Sequence, residues 1–198
     1  TAFALIIVGL SLKMGLFPLH QWLPNAYTYA PTAVSAFMAS TATKVGIYVG
    51  LRFFYTIFRP DDLKSMGADA LVFFACLGIV FGSVRAIQQT NVKRLLAYSS
   101  VAQVGYMVLG IAMLSRSGYM GSLLHMVNHA LVKGALFLAI GAVFYRTGSV
   151  NLDSLKGLFR TMPLTASAIA AAGVGLIGLP VTGGFISKWF LVGAAIEQ

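Results

Sequence analysis

The chain has 198 residues, 58% of them hydrophobic and 10% charged, with a mean hydropathy of +0.84. A soluble domain is nearer half apolar and a quarter charged, so an ordinary globular domain, a disordered chain and a nucleic-acid-binding module are excluded. The formal charge of +9 arises from 14 Lys and Arg against 5 Asp and Glu, with no basic run longer than Lys93-Arg94, a pattern that fits loops beside an anionic membrane surface rather than a phosphate-binding face.

A membrane helix needs about 20 mostly apolar residues, and such segments follow one another along the chain. Segment A covers residues 1–23 and is interrupted at Pro18. Segments B, C, D and E cover residues 31–58, 68–88, 93–114 and 118–145. Segment F covers residues 162–195 and is interrupted over 178–184, where Gly178, Pro180, Gly183 and Gly184 fall together. The apolar runs are too long and too continuous for strands. The expected fold is therefore all-α: one polytopic transmembrane helix bundle over residues 1–198, with two broken helices. The chain opens without Met inside one apolar run and closes just past another, so it reads as a piece of a longer membrane protein.

The connections are short and polar: residues 25–30, 59–66 (carrying Asp61, Asp62 and Lys64), 89–92, 115–117 and 146–161. The A–B, C–D and E–F side collects Arg85, Lys93, Arg94, Arg146, Lys156 and Arg160 against Asp153 alone. The other side carries Arg52, Arg59, Lys64 and Arg116 against Asp61, Asp62 and Asp69. Positive residues favour the cytoplasm, which places the first set of loops there. The single cysteine, Cys76, rules out a disulfide framework and a Cys-based metal or iron–sulfur site within this chain. In its apolar run it is expected as a small buried residue.

Proline removes a backbone donor and glycine loosens a helix. In lipid the freed groups must face protein or water, and broken helices at corresponding places in two repeats point to a transport site. A plain proline kink is the competing reading. The lysines weigh on this choice. Lys13 precedes the first break, Lys44 lies midway along B, Lys133 midway along E, and Lys188 follows the second break. A lysine at the bilayer centre costs roughly 2.5–3.5 kcal/mol. All four are therefore expected to face the bundle interior or water, although Lys188 could snorkel to an interface. No carboxylate falls in a membrane segment, so the lysines lack a local ion-pair partner.

Segment E adds His125-Met-Val-Asn-His129-Ala-Leu-Val-Lys133. The i, i+4, i+8 spacing stacks the three side chains on one face, over roughly 12 Å of rise. Histidine titrates near neutrality, so this row has the chemistry of a proton relay. Structural hydrogen bonding between helices competes with it. A metal site lacks a completing carboxylate or cysteine, and two histidines on one face cannot ligate both sides of one haem; neither metal nor cofactor is expected. His20, near Trp22, Tyr27 and Tyr29, is either an interfacial-belt residue or the mouth of the relay. Ser40, Thr41, Thr43, Ser99, Ser100 and Gln103 can hold water between helices or simply pack, and Asn128 reads as a helix–helix contact. No phosphate-binding glycine motif, Ser-His-Asp order or paired carboxylates occur, so no centre for bond-making chemistry is expected.

Five motifs carry a family resemblance: Lys13-Met-Gly-Leu-Phe-Pro-Leu-His-Gln-Trp-Leu-Pro24; Ala30-Pro-Thr-Ala-Val-Ser35 with Thr43-Lys-Val-Gly-Ile-Tyr48; Asn91-Val-Lys-Arg-Leu-Leu-Ala-Tyr-Ser-Ser100 with Gln103-Val-Gly-Tyr106; His125-x3-His129-x3-Lys133; and Gly178-Leu-Pro180 with Gly184-Phe-Ile-Ser-Lys188. In this order they resemble the antiporter-like membrane subunits shared by respiratory complex I (NADH:quinone oxidoreductase) and Mrp-type Na⁺/H⁺ antiporters, the D-like subunit among the latter. The resemblance implies a longer parent built on two inverted repeats, with A and F as their broken helices. It implies a proton path through Lys13, Lys44, His125, His129, Lys133 and Lys188, and a glutamate partner for Lys13 on an earlier helix outside this sequence. Without that glutamate the chain is not expected to transport alone. The implied partners are other membrane subunits, protons, Na⁺ in the Mrp reading, and the lipid of a bacterial inner membrane. The Mrp-type antiporter is the leading expectation, with a pump subunit of complex I or of a membrane-bound hydrogenase as the alternative. A purely structural bundle, whose internal lysines tolerate Leu or Met, is a third.

Overall fold

A computed structural model describes residues 2–58 and 68–197. The expected B–C connection, with Arg59, Asp61, Asp62 and Lys64, lies outside the described residues. The described residues form helices without strands, apart from an isolated antiparallel bridge between Asn91 and Asn151.

Helix α1 (Ala2–Met14) and α2 (Trp22–Tyr29) are the two parts of segment A. Helix α3 (Thr32–Arg52) runs on into a π-helical turn, Phe53–Ile57. Helices α4 (Ala68–Ile87), α5 (Val92–Ala112) and α6 (Arg116–Thr147) follow. After a 3₁₀ turn at Leu152–Leu155 come the short α7 (Leu158–Thr161), then α8 (Pro163–Ile177) and α9 (Gly183–Ile196), the two parts of segment F. The span from α3 through its π turn, together with α4, α5 and α6, is long and apolar enough to cross a membrane; α1, α8 and α9 are shorter apolar helices. At 1.5 Å per residue α6 is roughly 48 Å long, well beyond the hydrocarbon thickness.

Local chemistry sets the boundaries. Asn91 Oδ1 accepts the Arg94 N–H at 3.2 Å, Ser115 Oγ accepts Gly118 N–H at 3.0 Å, and Thr182 Oγ1 accepts Phe185 N–H at 3.3 Å. These are the N-caps of α5, α6 and α9, each worth about 1 kcal/mol. Both breaks open on a left-handed glycine, Gly15 (φ 73°) and Gly178 (φ 82°), a conformation costly for any residue with a Cβ.

Two boundaries differ from the sequence reading. Residues 25–30 were expected as a loop, but the helix continues to Tyr29, and only Ala30 and Pro31 separate it from α3. Pro24 sits in the first turn of α2, where its missing donor costs nothing. In segment F the break occupies residues 178–182. Gly183 and Gly184 open α9 instead of lying in the break. Gly184 matters as a point of close approach, because a Cβ there would collide with the Gly175 carbonyl of α8.

Helix α6 is the hub, packed against α3, α5, α8 and α9, while α4 lies along α5. Lipid offers no hydrophobic drive between helices, so small residues that let backbones approach hold such bundles together. A Cβ at Gly105 of α5 would stand 2.8 Å from the Ala75 carbonyl oxygen of α4. Cys76 is a correction: it is exposed, on the outward face of α4 with Phe73, Val80 and Val84. Because α4 is apolar all round, hydropathy could not tell its inner face from its outer one. Three connections meet at one end. Val92 N–H donates to Val150 O (2.8 Å), Leu152 N–H to Thr90 O (2.9 Å), and Lys93 Nζ to Ala30 O (3.2 Å). Lys93, expected beside a loop, is buried there.

Candidate functional site

Helix α6 turns His125, His129 and Lys133 inward on one face, with relative exposures of 2%, 0% and 0%. The spacing of four keeps all three under the same neighbouring helices. His125 bridges two of them: Nε2 lies 2.7 Å from Gln103 Oε1 of α5, and Nδ1 lies 2.9 Å from Ser187 Oγ of α9. The His129 ring stacks nearly parallel to that of His125, 9° apart in plane and 6.2 Å between centroids. Neither nitrogen of His129 has a hydrogen-bond partner among the described residues. Lys133 Nζ donates to Leu96 O (2.7 Å) and Ser99 Oγ (2.5 Å), both on α5.

Lys44 reaches the same row from α3. It is 7% exposed, and its ammonium donates to the Ala39 carbonyl of its own helix. It lies close enough to His125, His129 and Lys133 for its charge to act on all three. Lys188 of α9 is half-buried. Its ammonium donates to Ile177 O (2.8 Å) and Leu176 O (3.2 Å), the carbonyls left open where α8 ends. A cation at a helix C-terminus is also favoured by the backbone dipole. The Tyr106 ring lies 6.1 Å from the His125 ring and 5.6 Å from Lys188 Nζ.

Lys13 was expected to face the bundle interior or water, with a carboxylate partner outside this sequence. Its side chain is exposed, on a groove of about 600 Å³ lined by Gly9, Leu12, Trp22, Ala42 and Val45. Pro18 lies within the first break and Pro180 within the second. His20 is buried, wedged between the rings of Phe17 (5.5 Å) and Phe81 (5.0 Å). Of its expected interfacial companions, Tyr27 is fully buried while Tyr29 is exposed. A Cβ added at Gly183, at the start of α9, would stand 3.0 Å from Asn128 Oδ1.

The described carboxylates, Asp69, Asp153 and Glu197, are all exposed. The hydrogen-bond partners of the buried lysines are carbonyls and a hydroxyl, and no carboxylate among the described residues lies in the row. The ion pair seen joins Lys156 to Asp153 at 2.6 Å on the exposed 3₁₀ turn. Hydrogen bonding and attraction from Lys156 hold the Asp153 carboxyl below its usual range. Sequence reasoning missed Ser187 and Tyr106 as members of the site. Ser187 is one residue from Lys188, and that adjacency to a helix break was the available signal.

The family model for the transmembrane region of NADH:quinone oxidoreductase and Mrp antiporter subunits matches residues 1–198. NADH-quinone oxidoreductase subunit N of Desulforudis audaxviator is 47% identical over 99% of this chain and 39% of its own length. The D-type subunit of a Na⁺/H⁺ antiporter from Alkalihalophilus pseudofirmus is 37% identical over 96% of this chain and 38% of its own. Among solved structures, a chain of the Mrp complex from Dietzia sp. superimposes with a TM-score of 0.92 at 34% identity, covering 98% of this chain and 36% of that one. A chain of respiratory complex I from Thermus thermophilus gives 0.87 at 27%, covering 97% and 41%. The chain thus spans about two-fifths of the length of the relatives it matches.

Proposed function

Because the chain belongs to the NADH:quinone oxidoreductase/Mrp antiporter transmembrane family and is an integral membrane protein, we propose that its parent moves protons through the buried Lys/His row, as one subunit of a multisubunit Mrp-type cation/proton antiporter in a bacterial inner membrane. The observation that carries this reading is the clustering of the row: Lys44, Lys133, His129 and His125 are buried, the two imidazoles stacked, and the half-buried Lys188 comes from a third helix beside Ser187, the partner of His125. Burying this many titratable groups without counter-charge is costly, and a proton path gives them a use.

The residues divide the work. Lys44 and Lys133 hold protons where only carbonyls and hydroxyls receive them. Like charges in a row of low polarity repel, so a proton arriving at one group favours departure from the next. The unpartnered nitrogens of His129 are where internal water would bind. Lys188 ends the row at the second break. Lys13, exposed on its groove, would meet a carboxylate supplied by the rest of the parent and answer to its charge.

A second reading, a redox-driven pump subunit, draws support from the 47% identity to an NADH-quinone oxidoreductase subunit. One experiment separates the two. Inverted vesicles carrying the full-length parent and its partner subunits are given a pH gradient, then Na⁺. Dissipation on adding Na⁺ supports antiport, while proton uptake only on adding NADH or another electron donor supports the pump. Proton movement under neither condition contradicts both.

A further inference from the structure

We propose that Gln103 and Ser187 decide which nitrogen of His125 exchanges the travelling proton: Gln103 keeps a proton on Nε2, and the Ser187 hydroxyl serves Nδ1, the face turned toward the second helix break. The proposal rests on the relay reading above and assigns a role to two residues outside the Lys/His row.

The geometry carries it. Gln103 Oε1 can only accept, so at 2.7 Å it requires a hydrogen on Nε2. In neutral His125 the lone pair is then on Nδ1, 2.9 Å from Ser187 Oγ. Ser187 Oγ also lies 3.0 Å from the Gly184 carbonyl oxygen. Its single proton therefore has two destinations. With His125 neutral, the hydroxyl donates to Nδ1. With His125 protonated, Nδ1–H donates to Ser187 Oγ and the hydroxyl turns to the Gly184 carbonyl. Both nitrogens of His125 and the Ser187 hydroxyl are satisfied in both charge states with no heavy atom displaced, a fit that His129, with neither nitrogen partnered, does not have. The three groups are buried, Ser187 and His125 almost completely, so no bulk solvent competes for the bond.

Proton balance is kept. One proton enters at Nδ1 and one leaves from it, while Nε2 retains its own. When the Ser187 hydroxyl takes up a proton from Nδ1 it releases its own to internal water on the α9 side, where Lys188 sits; the Gly184 carbonyl only accepts its hydrogen bond and takes no proton. The titratable groups facing His125 are Lys44 from α3, Tyr106 from α5, His129 on its own helix and Lys188 from α9; α8 carries none.

The test uses the full-length parent in its complex. Nitrogen-15 NMR of histidine in the wild-type complex reads the tautomer directly and needs no substitution; the expected neutral form carries its proton on Nε2. In vesicles, Ser187→Ala is expected to slow proton movement about tenfold or more and to alter its pH profile, Ser187→Thr to restore most of the rate, and Gln103→Leu to give a mixed tautomer. An Nδ1–H tautomer in the wild type, or Ser187→Ala at the wild-type rate and pH profile while His125→Ala is inactive, overturns the proposal and leaves the relay standing. Full transport by His125→Ala overturns both.

Discussion

The two helix breaks share a backbone device and differ in where they keep the lysine. Each opens on a left-handed glycine, Gly15 or Gly178, followed by leucine and, within three residues, a proline. At the first, the Leu12 carbonyl is taken by the neutral indole N–H of Trp22 at 2.8 Å, and Lys13 stays exposed on the outer groove. At the second, the open carbonyls of Leu176 and Ile177 are taken by Lys188 itself. A break must have its carbonyls met, but the donor can be neutral or charged. The neutral cap leaves a lysine free for a group outside these helices, whereas the charged cap binds the lysine to the fold.

This difference predicts opposite responses to losing each lysine. The largest effect is expected for Lys188→Met. It removes two hydrogen bonds from a charged donor at a half-buried site, so the solubilised parent complex should lose about 1–3 kcal/mol in thermal unfolding and vesicles should lose proton movement. Unchanged stability would mean that Lys188 does not hold the second break. Lys13→Met comes next: transport should fall at least about tenfold, while stability shifts by less than about 1 kcal/mol. A large loss of stability there would make the two breaks alike.

Trp22→Phe is expected to do less. It removes one neutral hydrogen bond, worth about 0.5–1.5 kcal/mol, and should leave transport near the wild-type rate. The smallest effect belongs to Asp153→Asn, far from both breaks. Lys156 holds the Asp153 carboxyl below its usual range, so the pair favours the folded turn above that range and loses its contribution as pH falls through the lowered value. Because both side chains are about 80% exposed, solvent screens the pair, and neither stability nor transport should change measurably with the substitution.

Much of the fold is legible in the apolar run lengths, which place helices at B, C, D and E within a few residues of their observed ends. The i, i+4, i+8 spacing likewise anticipates that His125, His129 and Lys133 share a face, and that face is buried. What hydropathy could not read has a common cause. Helices apolar all round have no polar face to orient them, so Cys76 was expected inward and faces outward. Helix α2 was hidden because Pro24 and Asn25 read as loop residues, although proline is well placed in a first turn. The bonds of His125 join residues 22 and 62 positions apart, a pairing that no local pattern announces. Lys93 is buried only because the loop ends at Ala30 and Val150 converge on its helix start.

Lys133 is the most direct test of the row as a proton path, being fully buried and bonded to α5 alone among the row's neighbours. The measurement is proton movement in inverted vesicles carrying the full-length parent complex with Lys133→Met, a change that keeps the length of the side chain. Loss of movement in an assembled complex, under whichever of Na⁺ or electron donor drives the wild type, is the predicted result. Movement at the wild-type rate would contradict a relay through this row and leave the buried lysine as a structural strut.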